Sequence, residues 1–182
     1  MSIEIEKKYR LPEERIASLR GRLADAGAAF VGDDLEENTI FGGGILDEMG
    51  AVLRIRRTQD RTLLTFKKRI DSGSDIKHQV EHESEFTDEA ELREIVKELG
   101  FVPRIIYEKR RSTWNLAGAE IVLDTLPFGK FVEIEGPVEA IKSVETLIGI
   151  DDLEVEHETY PRLTARLGTE RDGIMESRFE SN

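Results

Sequence analysis

The chain has 182 residues, no cysteine and a formal net charge of −12, from 38 acidic and 26 basic side chains. That length suits one domain with its own core, while the missing cysteines exclude disulfides, thiolate ligands and cysteine nucleophiles and fit a reducing compartment, leaving oxygen or histidine to hold any metal. So acidic a surface repels polyanions and argues against nucleic acid as a partner; the lack of a long apolar run argues against a membrane span, and the charged start Met1-Ser2-Ile3-Glu4 against a signal peptide, so a soluble, cytoplasmic protein is expected.

From Ser2 to Arg10, Ile3, Ile5 and Tyr9 fall on one face and Glu4, Glu6 and Lys8 on the other, the period of a strand with one buried side. Leu11-Pro12-Glu13-Glu14 opens a helix, with acids at the positive end of its dipole and Ile16, Leu19 and Leu23 at helical spacing until Gly27. Strands are expected at roughly 35–42, 51–58, 61–69 and 76–86, divided by Gly42-Gly43-Gly44, a tight turn at Gln59-Asp60, and Asp71-Ser72-Gly73-Ser74. Thr87 or Asp88 caps a second helix whose apolar side carries Leu92, Ile95, Val96 and Leu99. Three more strands follow at about 103–114, 119–125 and 130–135, then a helix from Pro137 carrying Ile141, Val144 and Leu147, and a last one over 159–167. Residues 1–168 form the expected domain, and 169–182, which lack periodicity, an expected disordered tail. Strands mostly joined by short connections with helices inserted between some of them predict an α+β fold built on an antiparallel sheet.

The polar faces of these strands carry ionised residues sorted by sign. Arg54 with Arg56, Lys67 with Arg69, and Lys109 with Arg111 make cationic rows; Glu4 with Glu6, Glu81 with Glu83 and Glu85, and Glu133 with Glu135 make anionic ones, with Asp124 on the strand between. Any one pair, taken alone, reads as a solvated strand face or a charged edge that resists aggregation. The whole set reads otherwise: like charges two residues apart repel and need compensation from neighbouring strands, a metal or solvent. If the sheet curls with these faces inward, basic and acidic rows meet across a polar lumen. Such a lumen suits a triphosphate, neutralised by Lys and Arg together with Mg2+ or Mn2+ on the carboxylates. His78, His82 and His157 have no metal-ligand spacing among themselves and read as surface or loop residues.

Glu4-Ile5-Glu6-Lys7-Lys8 resembles the ExExK signature of the triphosphate tunnel metalloenzymes, or CYTH superfamily, which contains class IV adenylate cyclases, thiamine triphosphatases and inorganic tripolyphosphatases. Leu53-Arg54-Ile55-Arg56, Leu64-Thr65-Phe66-Lys67, the Glu81 to Glu85 row, Lys109-Arg110-Arg111, Leu123-Asp124, the run Gly129 to Gly136 and Thr159-Tyr160 follow in the family's order. The resemblance implies a closed eight-stranded antiparallel barrel, a triphosphate tunnel with helices packed outside. It also implies metal ligation by Glu4, Glu6, Glu133 and Glu135 with Asp124 and Glu83 nearby, and phosphate contacts from Lys8, Arg54, Arg56, Lys67, Lys109 and Arg111, among which Lys8, Lys67 and Arg111 are expected to act in catalysis. Glu133-Ile134-Glu135 and the helix Glu89 to Leu99 ending in Gly100-Phe101 look more like the bacterial and archaeal class IV cyclase branch. Gln79 departs from the pattern, standing where the family commonly has a basic residue.

The resulting expectation is an Mg2+- or Mn2+-dependent enzyme acting on a small-molecule triphosphate, ATP in the cyclase reading and tripolyphosphate or another triphosphate in the hydrolase reading. A non-catalytic polyphosphate- or nucleotide-binding module is the rival of another class. A homodimer is compatible with the sequence, which is silent on oligomeric state.

Overall fold

The computed structural model describes the backbone of residues 2–70 and 77–180, and the side chains of residues 5–70 and 79–180. β1 (Ser2–Arg10) leads through a single 3-10 turn (Glu13–Arg15) into α1 (Ile16–Asp25). β2 (Ala29–Gly42), α2 (Ile45–Met49), β3 (Ala51–Arg57), β4 (Thr62–Ile70) and β5 (Lys77–Phe86) follow, then α3 (Glu89–Glu98). β6 (Val102–Leu116), β7 (Ala119–Leu126) and β8 (Gly129–Glu135) form a meander before α4 (Val138–Ile148) and α5 (Tyr160–Leu167), and the chain ends in β9 (Thr169–Arg171) and β10 (Ile174–Ser177).

The expected α+β class, with an antiparallel sheet and helices, is what the chain forms, but the expected eight-stranded barrel is corrected to one sheet of ten strands, in the order β2-β3-β4-β5-β1-β8-β7-β6-β10-β9. Every pairing is antiparallel except β10 with β6. β2 pairs with β6 as well as with β3, over almost its whole length, so each of β1 to β8 has a strand neighbour on both sides. The extra strands come from residues 169–177, expected to be disordered: β6 outruns β7 at Arg110, and β10 continues along the vacated edge at Ile105 to Tyr107. Strands this short show no readable alternation.

Two boundaries also differ. β2 begins at Ala29 rather than near residue 35, because Gly32 and the Asp33-Asp34 pair, which resemble a turn, sit in a strand that slips register between Phe30 and Gly32. The three glycines at 42–44 lead not straight into a strand but into α2, whose end at Gly50 takes a left-handed φ of 59°.

Alternation sorts each strand's side chains. On β1, Ile5 and Tyr9 face the large apolar cluster under α1 and α4, where Leu23, Ile121, Val132, Ile134 and Ile141 are fully buried. Of the expected α4 stripe, Ile141 and Val144 are buried, but Leu147 points out and Ile148 takes its place. On α3, Leu92 and Val96 pack on Phe41 and Ile55, while Ile95 and Leu99 are exposed; the buried stripe is narrower than the apolar one. Asp88 caps α3, its Oδ1 accepting from the Glu91 amide at 3.0 Å. A third cluster joins α5 to the sheet through Tyr107, Leu126, Phe131, Tyr160 and Leu163. Among the described residues no helix is long and apolar enough to cross a membrane.

Candidate functional site

The faces turned away from the helices surround one cavity. Glu6 and Lys8 reach it from β1, Arg54 and Arg56 from β3, Lys67 from β4, Lys109 and Arg111 from β6, and Glu133 and Glu135 from β8. Among the described residues six cations and three carboxylates therefore line it, in a chain whose net charge is −12. Cross-strand register explains the assembly: Glu6 stands opposite Glu135 and Lys8 opposite Glu133, while Arg54 faces Thr65 and Arg111 faces Asp124.

Two of the sequence-expected residues, Asp124 and Glu83, lie outside the cavity lining. Asp124 is fully buried behind the wall, where it accepts from Arg111 Nε at 2.8 Å, Lys109 Nζ at 3.3 Å and the Tyr160 hydroxyl at 2.9 Å. Burial pushes its carboxyl up, but Arg111 and Lys109 outweigh that and hold it below the usual range. Glu83 accepts from Thr65 Oγ1 at 2.8 Å, and the same hydroxyl accepts from Arg54 Nη2 at 3.2 Å, so Glu83 orients an arginine from the second rank. The Glu4 side chain lies outside the described residues; its backbone pairs with Gln79. Gln79 itself lines the cavity, so the position that departs from the family pattern sits at the site.

The residue that strand-by-strand reading passed over is Glu36. It is 2% exposed, with Lys109 Nζ at 3.3 Å, Arg56 Nε at 3.5 Å and Arg111 Nε at 3.9 Å, and it accepts from Asn38 Nδ2 at 3.3 Å. Burial raises its pKa, yet Lys109, Arg56, Arg111 and Arg54 together drive the carboxyl far below the ordinary range. The pairing Glu36↔Lys109 becomes visible only once β2 is placed beside β6. Tyr160 was likewise unassigned a role: its ring lies 4.2 Å from Lys8 Nζ and 5.3 Å from the Phe131 ring.

Two features point to an absent partner of each sign. Arg54 Nε and Asn38 Oδ1 are buried without a hydrogen-bond partner, and Arg56 Nε, though 3.5 Å from Glu36, makes no hydrogen bond; a guanidinium N–H left so in a cationic cavity suits an oxyanion. On the carboxylate side, burial followed by the nearness of Glu6 and Asp124 pushes Glu133 up, against the opposing pull of Arg111 and Lys8. Crowded carboxylate oxygens are the donor set of a hard divalent cation, and Glu6, Glu133 and Glu135 fit one in chemistry. Among the described residues no three acidic or histidine side chains are gathered as a metal site.

The family model for the CYTH domain matches residues 2–161. No curated protein matches the chain. Among solved structures, the PH1012 protein of Pyrococcus horikoshii OT3 is similar at 25% identity and a TM-score of 0.76, covering 88% of this chain and 98% of that one. A conserved hypothetical protein of Pyrococcus furiosus is similar at 26% identity and a TM-score of 0.75, over 88% and 99% of the two chains. The Hippeastrum protein HpAC1, named as a candidate adenylyl cyclase that reveals a dominant triphosphatase activity, shares the fold at 21% identity and a TM-score of 0.65, over 90% and 95%.

Proposed function

Because this chain belongs to the CYTH domain family, we propose that its cavity takes the triphosphate group of a small molecule and that the protein is a divalent-metal-dependent enzyme acting on that group. The observation that carries this reading is the gathering of six cations, with guanidinium N–H groups of Arg54 and Arg56 that make no hydrogen bond, inside an acidic protein. A triphosphate bears about four negative charges near neutral pH and presents oxygens on every side, which matches donors converging from β1, β3, β4 and β6.

Glu6, Glu133 and Glu135, with Glu4, would hold Mg2+ or Mn2+. The bound ion would supply charge neutralisation at a phosphoryl oxygen or at the departing phosphate. Arg54 and Arg56 bind the phosphate chain, and Lys109, fixed between Glu36 and Asp124, orients it. Lys8, Lys67 and Arg111 stabilise the charge that moves onto the leaving oxygen as the bond to phosphorus breaks. Arg111 is anchored for this by Asp124 and by Glu133 at 2.9 Å.

The finer reading is a class IV adenylate cyclase-like reaction: the ribose 3′-hydroxyl of ATP attacks the α-phosphorus, the bond to the β-phosphate breaks, and cyclic AMP and pyrophosphate form. Ile40, Val52 and Pro161, the aliphatic residues of the lining, offer apolar contact to the nucleoside end. Hydrolysis of tripolyphosphate or an organic triphosphate is the second reading. It is favoured by the burial of Tyr107 and Tyr160, the aromatic residues of the lining, at 2% and 6% exposure, which leaves little ring face for a base.

The test is to incubate the protein with Mn2+ or Mg2+ and, in parallel, ATP or tripolyphosphate, and to separate the products. Cyclic AMP with pyrophosphate establishes the cyclase, and orthophosphate without cyclic AMP the triphosphatase. No product from either leaves a binding module. Glu6→Gln is expected to abolish turnover in a folded protein and Lys67→Ala to weaken triphosphate affinity; full activity or unchanged affinity, respectively, removes that residue from the site.

A further inference from the structure

Residues 162–180 lie beyond the family match. They complete α5 and return along the sheet as the β9–β10 hairpin, with Met175, Glu176 and Ser177 beside Ile105, Ile106 and Tyr107. Next to this contact, on the outer face of the β2–β6 pair, Glu37 stands directly opposite Glu108. Like charges at opposed positions of two strands repel. Arg178 bridges them: its Nη1 donates to Glu37 and, at 3.2 Å, to Glu108, and its Nε donates to Glu176 at 3.2 Å. The Phe179 amide adds a 2.8 Å bond to Glu108 Oε2, and the Arg110 guanidinium lies 4.5 Å from the Phe179 ring. Arg57 and Arg93 also approach Glu37, at 3.6 and 3.8 Å, whereas among the described residues Arg178 is the cation paired with Glu108.

The inner neighbours of this outer pair are Glu36 and Lys109, and the hairpin grips α5, whose start lines the cavity with Tyr160 and Pro161. A Cβ on Gly168 would stand 2.5 Å from the Glu176 carbonyl oxygen and 2.6 Å from that of Thr164, so α5 and β10 meet backbone to backbone. At its other end α5 places Tyr160 against Tyr107, ring centroids 6.1 Å apart, and on Asp124.

We propose that the β9–β10 hairpin is a latch and Arg178 a positioning residue: by tying β10 to Glu37 and Glu108 it holds α5, and through Tyr160 the Lys8, Lys109 and Asp124 cluster, in the cavity wall. The docking rests on these contacts; its effect on ligand rests on the reading of the cavity as a triphosphate site.

The experiment compares hydrogen–deuterium exchange and tripolyphosphate affinity in the full-length protein, Arg178→Ala, Arg178→Lys and Glu108→Gln. Arg178→Ala is expected to speed exchange at α5 and β10 by roughly tenfold or more while β7 and β8 keep their protection. Arg178→Lys is expected to recover part of that protection, since it keeps the charge but not the planar fork. In the Glu108→Gln background the Arg178→Ala effect is expected to shrink, as coupled partners require. Tripolyphosphate is expected to bind several-fold more weakly to Arg178→Ala. Unchanged α5 exchange overturns the latch, and equal loosening of β7 and β8 overturns it too by making Arg178 a general stabiliser. Loosened α5 with unchanged affinity overturns the positioning role. Wild-type protein that fails to bind tripolyphosphate instead removes the reading of the cavity, and the exchange comparison still decides the latch.

Discussion

Glu36 shows how much one carboxylate can do inside a cationic cluster. Lys109, Arg56 and Arg111 converge on it, and without it those cations would face one another in a buried setting, with Lys109 already pushed down by burial and by Arg111. Removing one member of a buried ion cluster costs about 3–5 kcal/mol because it strands the others. Glu36→Gln is therefore expected to lower the unfolding free energy by that order, measured by urea denaturation at neutral pH. The pH dependence follows from the direction of the shift. The folded-state pKa of Glu36 is depressed, so its stabilisation is complete above the ordinary carboxylate pKa of about 4.3 and is lost as pH falls below it toward the depressed value. Acid denaturation curves of Glu36→Gln are expected to be shallower than those of the parent in that window; an identical slope would show that other carboxylates carry it.

At the scale of the element, α5 is a helix of eight residues, too short to persist without tertiary contacts. Thr159 caps it by accepting from the Arg162 amide at 3.4 Å, Pro161 starts it, and Leu163 buries fully beneath it. Its far end depends on Gly168 for want of space, not for backbone freedom, since φ there is −79°. Gly168→Ala is expected to cost about 1–3 kcal/mol by forcing β10 off α5. Thermal unfolding would read this as a fall of several degrees, and an unchanged melting temperature would mean that the two backbones part easily.

Across the whole molecule, the charge distribution is what sets function apart from stability. The chain bears −12 overall yet gathers six cations on the inside of its sheet, so an anion must leave a repelling surface for an attracting cavity. A ligand that binds only the folded state stabilises it by about 2.7 kcal/mol at a hundredfold excess over Kd. Tripolyphosphate with Mg2+ is expected to raise the melting temperature, and orthophosphate at equal concentration to raise it less because it engages fewer of the donors. Equal shifts would argue for nonspecific screening.

The sequence by itself determined the class of fold and the polar and apolar face of most strands, because a period of two writes each side chain's face into the chain without reference to any partner; the family resemblance then separated the six cations that line the cavity from Arg69, which shares a row with Lys67 but is exposed. It could not determine which strands become neighbours. Glu36 took its place only when β2 lay against β6, and Asp124 proved to be an anchor behind the wall only when Arg111, Lys109 and Tyr160 closed on it. The last strands escaped for the same reason: residues 169–177 have too little hydrophobic pattern to predict a strand, and they become one because β6 offers an edge and Glu37 and Glu108 offer Arg178 a place to bind. Pairing energy between distant segments belongs to neither segment's sequence, so tertiary structure alone decided it.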